Sequence, residues 1–212
     1  MTAKAEPSSR ADRRKARTRA ALVSAATDLL SSGRTNASIQ DITDLADVGF
    51  GTFYNHFSTK EELFAAAIAE TLDGWSALRQ QATAGLTDPA EIFARSFRLA
   101  GRLQQSNPTM AQLVLNAGAQ VLVTDRGLRP GAVEDIERGI ASGRFTVPDP
   151  EAGVMMVGGL LLALLQMLES RDVPAGPTAD LFAERALLVL GVDAAEAHDI
   201  YNRDLPEVTL KL

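Results

Sequence analysis

The sequence predicts an all-α chain. Apolar side chains recur at three- and four-residue spacing over most of the 212 residues, and cap-then-proline signals mark repeated helix starts. No segment alternates in the manner of a half-buried strand. The composition, 46% apolar and 23% charged, suits a packed core. There are no cysteines, which excludes disulfides, thiolate metal sites and cysteine nucleophiles. The first thirty residues hold a basic cluster instead of an apolar signal core, so a cytoplasmic protein is expected. The longest uncharged apolar run, Ala152 to Leu168, reads as shorter than the roughly 18 residues of a membrane span.

The first helix carries Leu22, Val23, Ala26, Leu29 and Leu30 on one face, and Gly33 is placed to stop it. Ser38 then caps a short helix, with Asp41 completing a capping box and Ile39, Ile42, Leu45 and Ala46 as the expected buried face. Gly49 and Gly51 break the pattern before another short helix holding Phe53 and Phe57 at i and i+4. Thr59 with Glu62 forms a second box, opening a long helix through Leu63, Phe64, Ala67, Ile68, Leu72, Trp75 and Leu78.

Asp88-Pro89, Asn107-Pro108 and Asp149-Pro150 announce three further helices, because proline is tolerated at the first helical position. Gly131 to Ser142 reads as another, ended by Gly143. Residues 171–177 read as a loop, Thr178 starts a helix through Val189, and a short one covers Ala194 to Asn202. The expected total is three short helices followed by six or seven longer ones.

Charge is distributed unevenly. Residues 1–60 hold nine Lys or Arg against six Asp or Glu, whereas residues 61–212 are strongly acidic and bring the chain to −6. A basic head on an acidic body is the asymmetry of a chain whose one end meets a polyanion. A solvated tail that merely aids solubility would give the same charge run.

The sharpest signal is Ser38 to Lys60, where two short helices flank a glycine-containing turn, the pattern of a helix-turn-helix whose second helix enters the DNA major groove. Phe53 and Phe57 are expected to face inward, leaving Thr52, Tyr54, Asn55 and His56 for DNA. The run Ala46-Asp47-Val48-Gly49-Phe50-Gly51-Thr52-Phe53-Tyr54-Asn55-His56-Phe57, followed by Lys60-Glu61-Glu62-Leu63, resembles the signature of the TetR family of bacterial regulators. That resemblance covers about residues 15–70; beyond them only length and helical layout are similar.

The resemblance implies an N-terminal three-helix DNA-binding domain and a C-terminal helical domain for ligand binding and dimerisation. The expected bounds are a disordered basic arm over 1–11, a DNA-binding domain over 12–58 and an effector and dimer domain over 59–212. Tyr54 and His56 resemble the family's phosphate-contacting pair, and a phenol hydroxyl and an imidazole both donate to phosphate oxygens. Lys60 opens the next helix, where an anion is favoured. Arg13, Arg14, Lys15 and Arg17 are candidates for phosphates or an adjacent minor groove, and Ser38 for the backbone.

Base reading falls to residues 49–55. Gly49 and Phe50 stand where family members often carry polar residues. Phe50 either meets a thymine methyl or folds back onto its own helix. Gln40 and Asn55 are the amides able to read an adenine edge.

The implied partners are double-stranded operator DNA, a second copy of the chain, and a small apolar effector. The nearly all-apolar run from Val154 to Leu168, with the helix from Thr178 to Val189, suggests an interface through Val157, Leu161, Leu164, Leu168, Phe182 and Leu188. Gly158 and Gly159 would permit close approach. Candidate effector contacts are Trp75, Phe93, Phe97, Met110, Leu113, Asn116 and Met155, with Gln112, Asn116 and Gln120 as an amide stripe. Cofactors and metals are not expected, since His56 and His198 are the only histidines and lie in different modules. A DNA-binding dimer without ligand, and an all-α enzyme, are the competing readings. No nucleophile elbow or phosphate-cradling loop supports the enzyme.

Overall fold

The computed structural model describes residues 10–123, 125 and 127–206. Among them, eleven α-helices and one 3-10 helix are present and no strand. The chain divides into two compact units, 1–68 and 69–212, so the division falls ten residues later than the sequence suggests.

In the first unit, α1 (Arg10–Ser31) runs for 22 residues and buries Leu22, Val23, Ala25, Ala26, Leu29 and Leu30. Arg13, Arg14, Lys15 and Arg17 stand on α1, which already holds Arg10 and Ala11 of the arm expected to be disordered over 1–11, and residues 1–9 lie outside the described residues. Gly33 ends α1 with φ +72, its N–H donating to Leu30 O while Arg34 N–H donates to Leu29 O. That pair of bonds is a Schellman closure.

Ser38 caps α2 (Ile39–Leu45) with both halves of the box present: Asp41 N–H donates to Ser38 Oγ, and Ser38 N–H donates to the Asp41 carboxylate. Ile42 and Thr43 are its fully buried positions, and Leu45 is exposed. Leu45 lies about 110° around the wheel from the centre of the Ile39–Ile42–Thr43–Ala46 face, too far to share it.

The turn into α3 (Phe50–Phe53) uses Asp47, at φ +52, as its left-handed residue. Asp47 N–H donates to Asp44 O and Val48 N–H to Thr43 O, again a Schellman closure. The glycines expected to make this turn do not: Gly49 is the extended N-cap of α3. Asp47 fills the role because a short polar side chain tolerates the left-handed region. α3 is only one turn long, but Phe57 N–H still donates to Phe53 O, so the i,i+4 pair keeps its helical register.

α4 (Lys60–Thr83) begins in the first unit and ends in the second. Thr59 Oγ1 accepts from Glu62 N–H, and Glu62 reaches back to Ser58 N–H instead of Thr59 N–H.

The second unit holds the remainder of α4, then α5 (Pro89–Ala100), α6 (Leu103–Ser106), α7 (Pro108–Ala117), the 3-10 helix Gly118–Leu122, α8 (Leu128–Ala141), α9 (Pro150–Ser170), α10 (Ala175–Val189) and α11 (Ala194–Tyr201). Asp88, Asn107 and Asp149 each cap a helix that has proline in its first turn. α8 and α10 both start three residues before the expected position, because Pro130 and Pro177 sit in their first turns, where no intrahelical N–H bond is lost. α10 packs on α5, α9 and α11, and α8 packs on α5 and α9.

At the crossing of α5 with α9 and α10, a Cβ on Gly101 would fall 2.7 Å from both Ala179 Cβ and Leu164 Cδ2. Only glycine allows that approach. α9 is, among the described residues, the one helix long and apolar enough to cross a membrane. Val154, Val157, Leu161, Leu164 and Leu165 of α9 belong to the core of this unit.

Candidate functional site

The DNA-facing surface is built on two aromatic anchors. Phe53 is fully buried and Phe57 nearly so, with ring centroids 6.2 Å apart. Every side chain between them is displaced outward by the helical turn: Tyr54 and Asn55 are exposed, and His56, like Thr52, is half-buried. Phe50 is 47% exposed with its ring edge-on to Tyr54 at 5.8 Å. It therefore rests against its own helix and still presents a face to solvent. Tyr54 also meets Phe53 edge-on at 5.3 Å, which supports the ring, and the residue as a whole is exposed.

Other candidates are already engaged. Ser38 donates its hydroxyl to Asp41 at 2.6 Å, and Gln40 donates its amide to Asp44 at 2.6 Å. The hydrogen bonds from Ser38 hold the Asp41 carboxyl below its usual range. Lys60 Nζ donates to Thr35 O at 3.4 Å and lies over the Phe64 ring. Arg19 lies over the Phe57 ring at 5.4 Å, a role the sequence does not suggest. Partial burial, followed by the charges of Lys15 and Arg19, holds the His56 imidazole below its ordinary value. Those cations gather close to His56, where a phosphate would be welcome.

The second unit holds a half-open cavity of about 70 Å³. Its walls include Trp75 of α4, Phe93, Ser96 and Phe97 of α5, Val114 of α7, Leu122 of the 3-10 helix, Leu128 and Asp135 of α8, and Val154, Val157 and Gly158 of α9. A Cβ on Gly158 would collide with the Leu122 side chain, so this glycine closes the wall against the 3-10 helix, while Gly159 faces open space. An open depression of about 480 Å³ lies alongside and shares Trp75 and Arg79.

Of the residues proposed from sequence, Trp75, Phe93 and Phe97 line this cavity. Met110, Leu113, Asn116 and Met155 do not: Met110 is packed in the core, Asn116 and Met155 are exposed, and Leu113 is half-buried away from the walls. Asn116 and Gln120 of the amide stripe are likewise in solvent, since α7 ends at Ala117 and the helical period stops there.

Sequence reasoning missed the cavity's polar edge. Arg79 and Arg129 line it, with Asp135. Arg79 is bound through Nη2 to the Asp135 carboxylate and to Gly131 O, and its Nη1 lies 3.9 Å from Glu134. Arg129 pairs with Asp125 at 2.8 Å and with Glu151. Burial raises the Asp135 carboxyl above its usual range even beside Arg79.

Val157, Leu161 and Leu164, proposed for a subunit interface, are buried in the chain's own core. Leu168, Phe182 and Leu188 are only partly covered. The open apolar positions of α9 and α10 are Met155, Met156, Leu181 and Val189. An all-apolar helix gives sequence periodicity no polar face to mark inside from outside.

The family profile described as bacterial regulatory proteins, tetR family, matches residues 22–67, and the profile described as tetracyclin repressor-like, C-terminal domain, matches residues 88–203. The chain belongs to the TetR family. As a TetR-family transcriptional regulator, it carries a DNA-binding helix-turn-helix and a ligand-binding domain. Among solved structures, RolR in complex with resorcinol is 34% identical, with a TM-score of 0.71 over 93% of this chain and 99% of that one. RolR without ligand is also 34% identical, at a TM-score of 0.69 over 89% and 98%. A TetR-family regulator from Haemophilus influenzae is 15% identical at a TM-score of 0.66, over 82% and 97%, and shares the fold. No curated protein matches by sequence.

Proposed function

We propose that this regulator is a repressor that binds a pseudo-palindromic operator as a homodimer and leaves it when a small, largely apolar effector fills the cavity of the second unit. The observation that carries this reading is the cavity itself, walled by Trp75, Phe93 and Phe97 in a family of DNA-binding proteins. At about 70 Å³ it is roughly half the size of a cavity that holds benzene (about 150 Å³), so a one-ring compound would enter with the walls moving apart. RolR, at 34% identity, was crystallised with resorcinol, a one-ring compound.

Dimerisation gives the open apolar positions Met155, Met156, Leu181 and Val189 a partner. Two heads would then fall on half-sites about 34 Å apart, or a multiple of it. Tyr54, His56, Lys60 and the basic face of α1 supply phosphate contacts, and Gly49, Phe50, Thr52 and Asn55 meet the bases. The effector acts by preferring the conformation with misplaced heads, and α4, which carries both Lys60 and Trp75, transmits that preference.

The test is a gel shift on the intergenic DNA beside the chain's own gene, with one-ring compounds added. Retardation that a compound relieves supports the reading. Retardation unmoved by a broad panel favours a ligand-independent DNA-binding dimer, and no retardation refutes the operator assignment.

A further inference from the structure

Two glycines flank Phe50 at the start of α3, and the fold requires neither. Gly49 caps α3 at φ −66, where any side chain is ordinary, and a Cβ on it would meet only Thr52 Oγ1, at 3.5 Å. Gly51 lies within α3 without a positive φ, and a Cβ on it would meet nothing within 4 Å. Gly33 differs, since its φ of +72 calls for glycine. Inside a helix, glycine is less stable than alanine because its backbone loses more freedom on folding. Gly51 therefore weakens α3 with no return inside the chain.

The same stretch offers DNA no hydrogen-bonding side chain. Gly49, Phe50 and Gly51 are all exposed, and none of them can donate or accept beyond its backbone. Phe50 stays 47% exposed although Tyr54 meets its ring at 5.8 Å. That contact steadies the ring without covering it. First-turn residues of a helix seated in the major groove are the ones that reach base edges. In that groove the base edges present donors, acceptors and one apolar substituent, the thymine 5-methyl group. A steadied, uncovered ring between two bare backbone positions fits that methyl and none of the polar groups.

We infer that Phe50 is the specificity-determining residue for a thymine in each half-site, its ring seated on the 5-methyl group, and that Gly49 and Gly51 supply the clearance for that approach. This rests on the operator-binding reading above and names the base chemistry at one position of the half-site.

The DNA fragment retarded by the intact protein is narrowed by footprinting, and each thymine of one half-site is replaced singly by deoxyuridine. That change deletes the methyl and leaves base pairing intact. At one position the wild-type protein is expected to lose about fourfold in affinity, the worth of one buried methyl. Phe50→Ala is expected to bind thymine and uracil versions of that site equally, which assigns the methyl contact to this ring. Gly51→Ala is expected to bind about tenfold more weakly while its thermal midpoint holds or rises. A glycine with a merely structural role would lose both together.

Affinity indifferent to every thymine methyl overturns the inference. So does a uracil penalty that survives Phe50→Ala, or full affinity in Gly51→Ala. The deoxyuridine series needs only the wild-type protein, so it decides even where a variant does not fold. Failure of any fragment to be retarded refutes the operator assignment itself, whereas retardation blind to the methyls leaves that assignment standing and refutes the role of Phe50 alone.

Discussion

Asp180 of α10 offers a test of how the second unit is held together. It accepts from Arg98 Nε at 2.7 Å and from Arg102 Nη2 at 2.9 Å, joining α10 to α5 and to the N-cap of α6. The Arg98 side chain is 8% exposed and Asp180 20% exposed. Replacing Asp180 with Ala leaves the Arg98 guanidinium with only the Arg203 carbonyl, at 2.6 Å, and places a second guanidinium nearby without a counter-ion. Breaking a fully buried pair costs about 3–5 kcal/mol. Water reaches Asp180 and Arg102 in part, so the expected loss is about 2–4 kcal/mol. Urea unfolding followed by Trp75 fluorescence reads this unit, and the midpoint should drop by about 1–2 M at constant slope. Arg98→Met combined with Asp180→Leu should recover much of the loss, since an apolar pair carries no desolvation penalty. A single-variant loss under about 1 kcal/mol would place the triad among surface ion pairs and refute the argument.

Changing Arg13, Arg14 and Lys15 together to Ala should lower the salt slope of operator binding by about one unit for each phosphate left without its cation, read from affinities across a salt series; an unmoved slope removes α1 from the interface. His56 has a pKa below the ordinary 6.5 in the folded chain, so the unfolded chain takes up the proton first and stability falls as pH drops through that value. Operator phosphate favours the protonated ring, so affinity should rise with acidity between about pH 7.5 and 5.5, and His56→Gln should flatten that rise. Asp47→Gly should raise the stability of the first unit by about 0.5–1 kcal/mol by relieving a left-handed backbone, measured by thermal unfolding; destabilisation would mean the Asp47 side chain contributes more than its backbone costs.

Local signals in the sequence translate directly into structure. The Ser38–Asp41 box, the three cap-then-proline starts and the Gly33 and Gly143 stops lie where the sequence puts them, because each is decided by residues within one turn. The misses have shared causes. Pro130 and Pro177 read as boundaries yet sit inside first turns, where the missing N–H forfeits no intrahelical bond. Asp47 escapes a sequence reading since glycine is the commoner left-handed residue and two glycines stand close by. On the DNA side, Phe53 and Phe57 are legible as anchors from their spacing alone. On the cavity side, the three aromatics are legible and the arginines are not. Arg79, Arg129 and Asp135 look in sequence like ordinary charged positions on helix faces; only tertiary packing turns them inward.

Those three residues also bear on how occupancy becomes a signal. Arg79 lies on α4 one turn beyond Trp75, and its bonds to Asp135 and Gly131 hold α4 to α8. A cavity occupant that favours one arrangement of that junction by a single charge-assisted bond would contribute about 1.5–3 kcal/mol. That is the scale of a typical coupling energy between distant sites, about 1–3 kcal/mol. Swinging a two-state equilibrium from 1:99 to 99:1 takes about 5.5 kcal/mol. One site falls short of this. Two sites in the proposed dimer reach it only at the upper end of the range, if both act on one concerted change. A monomeric form with the same cavity would therefore bind an effector and still respond weakly, so the proposed dimer would serve the proposed switch as well as the reading of two half-sites.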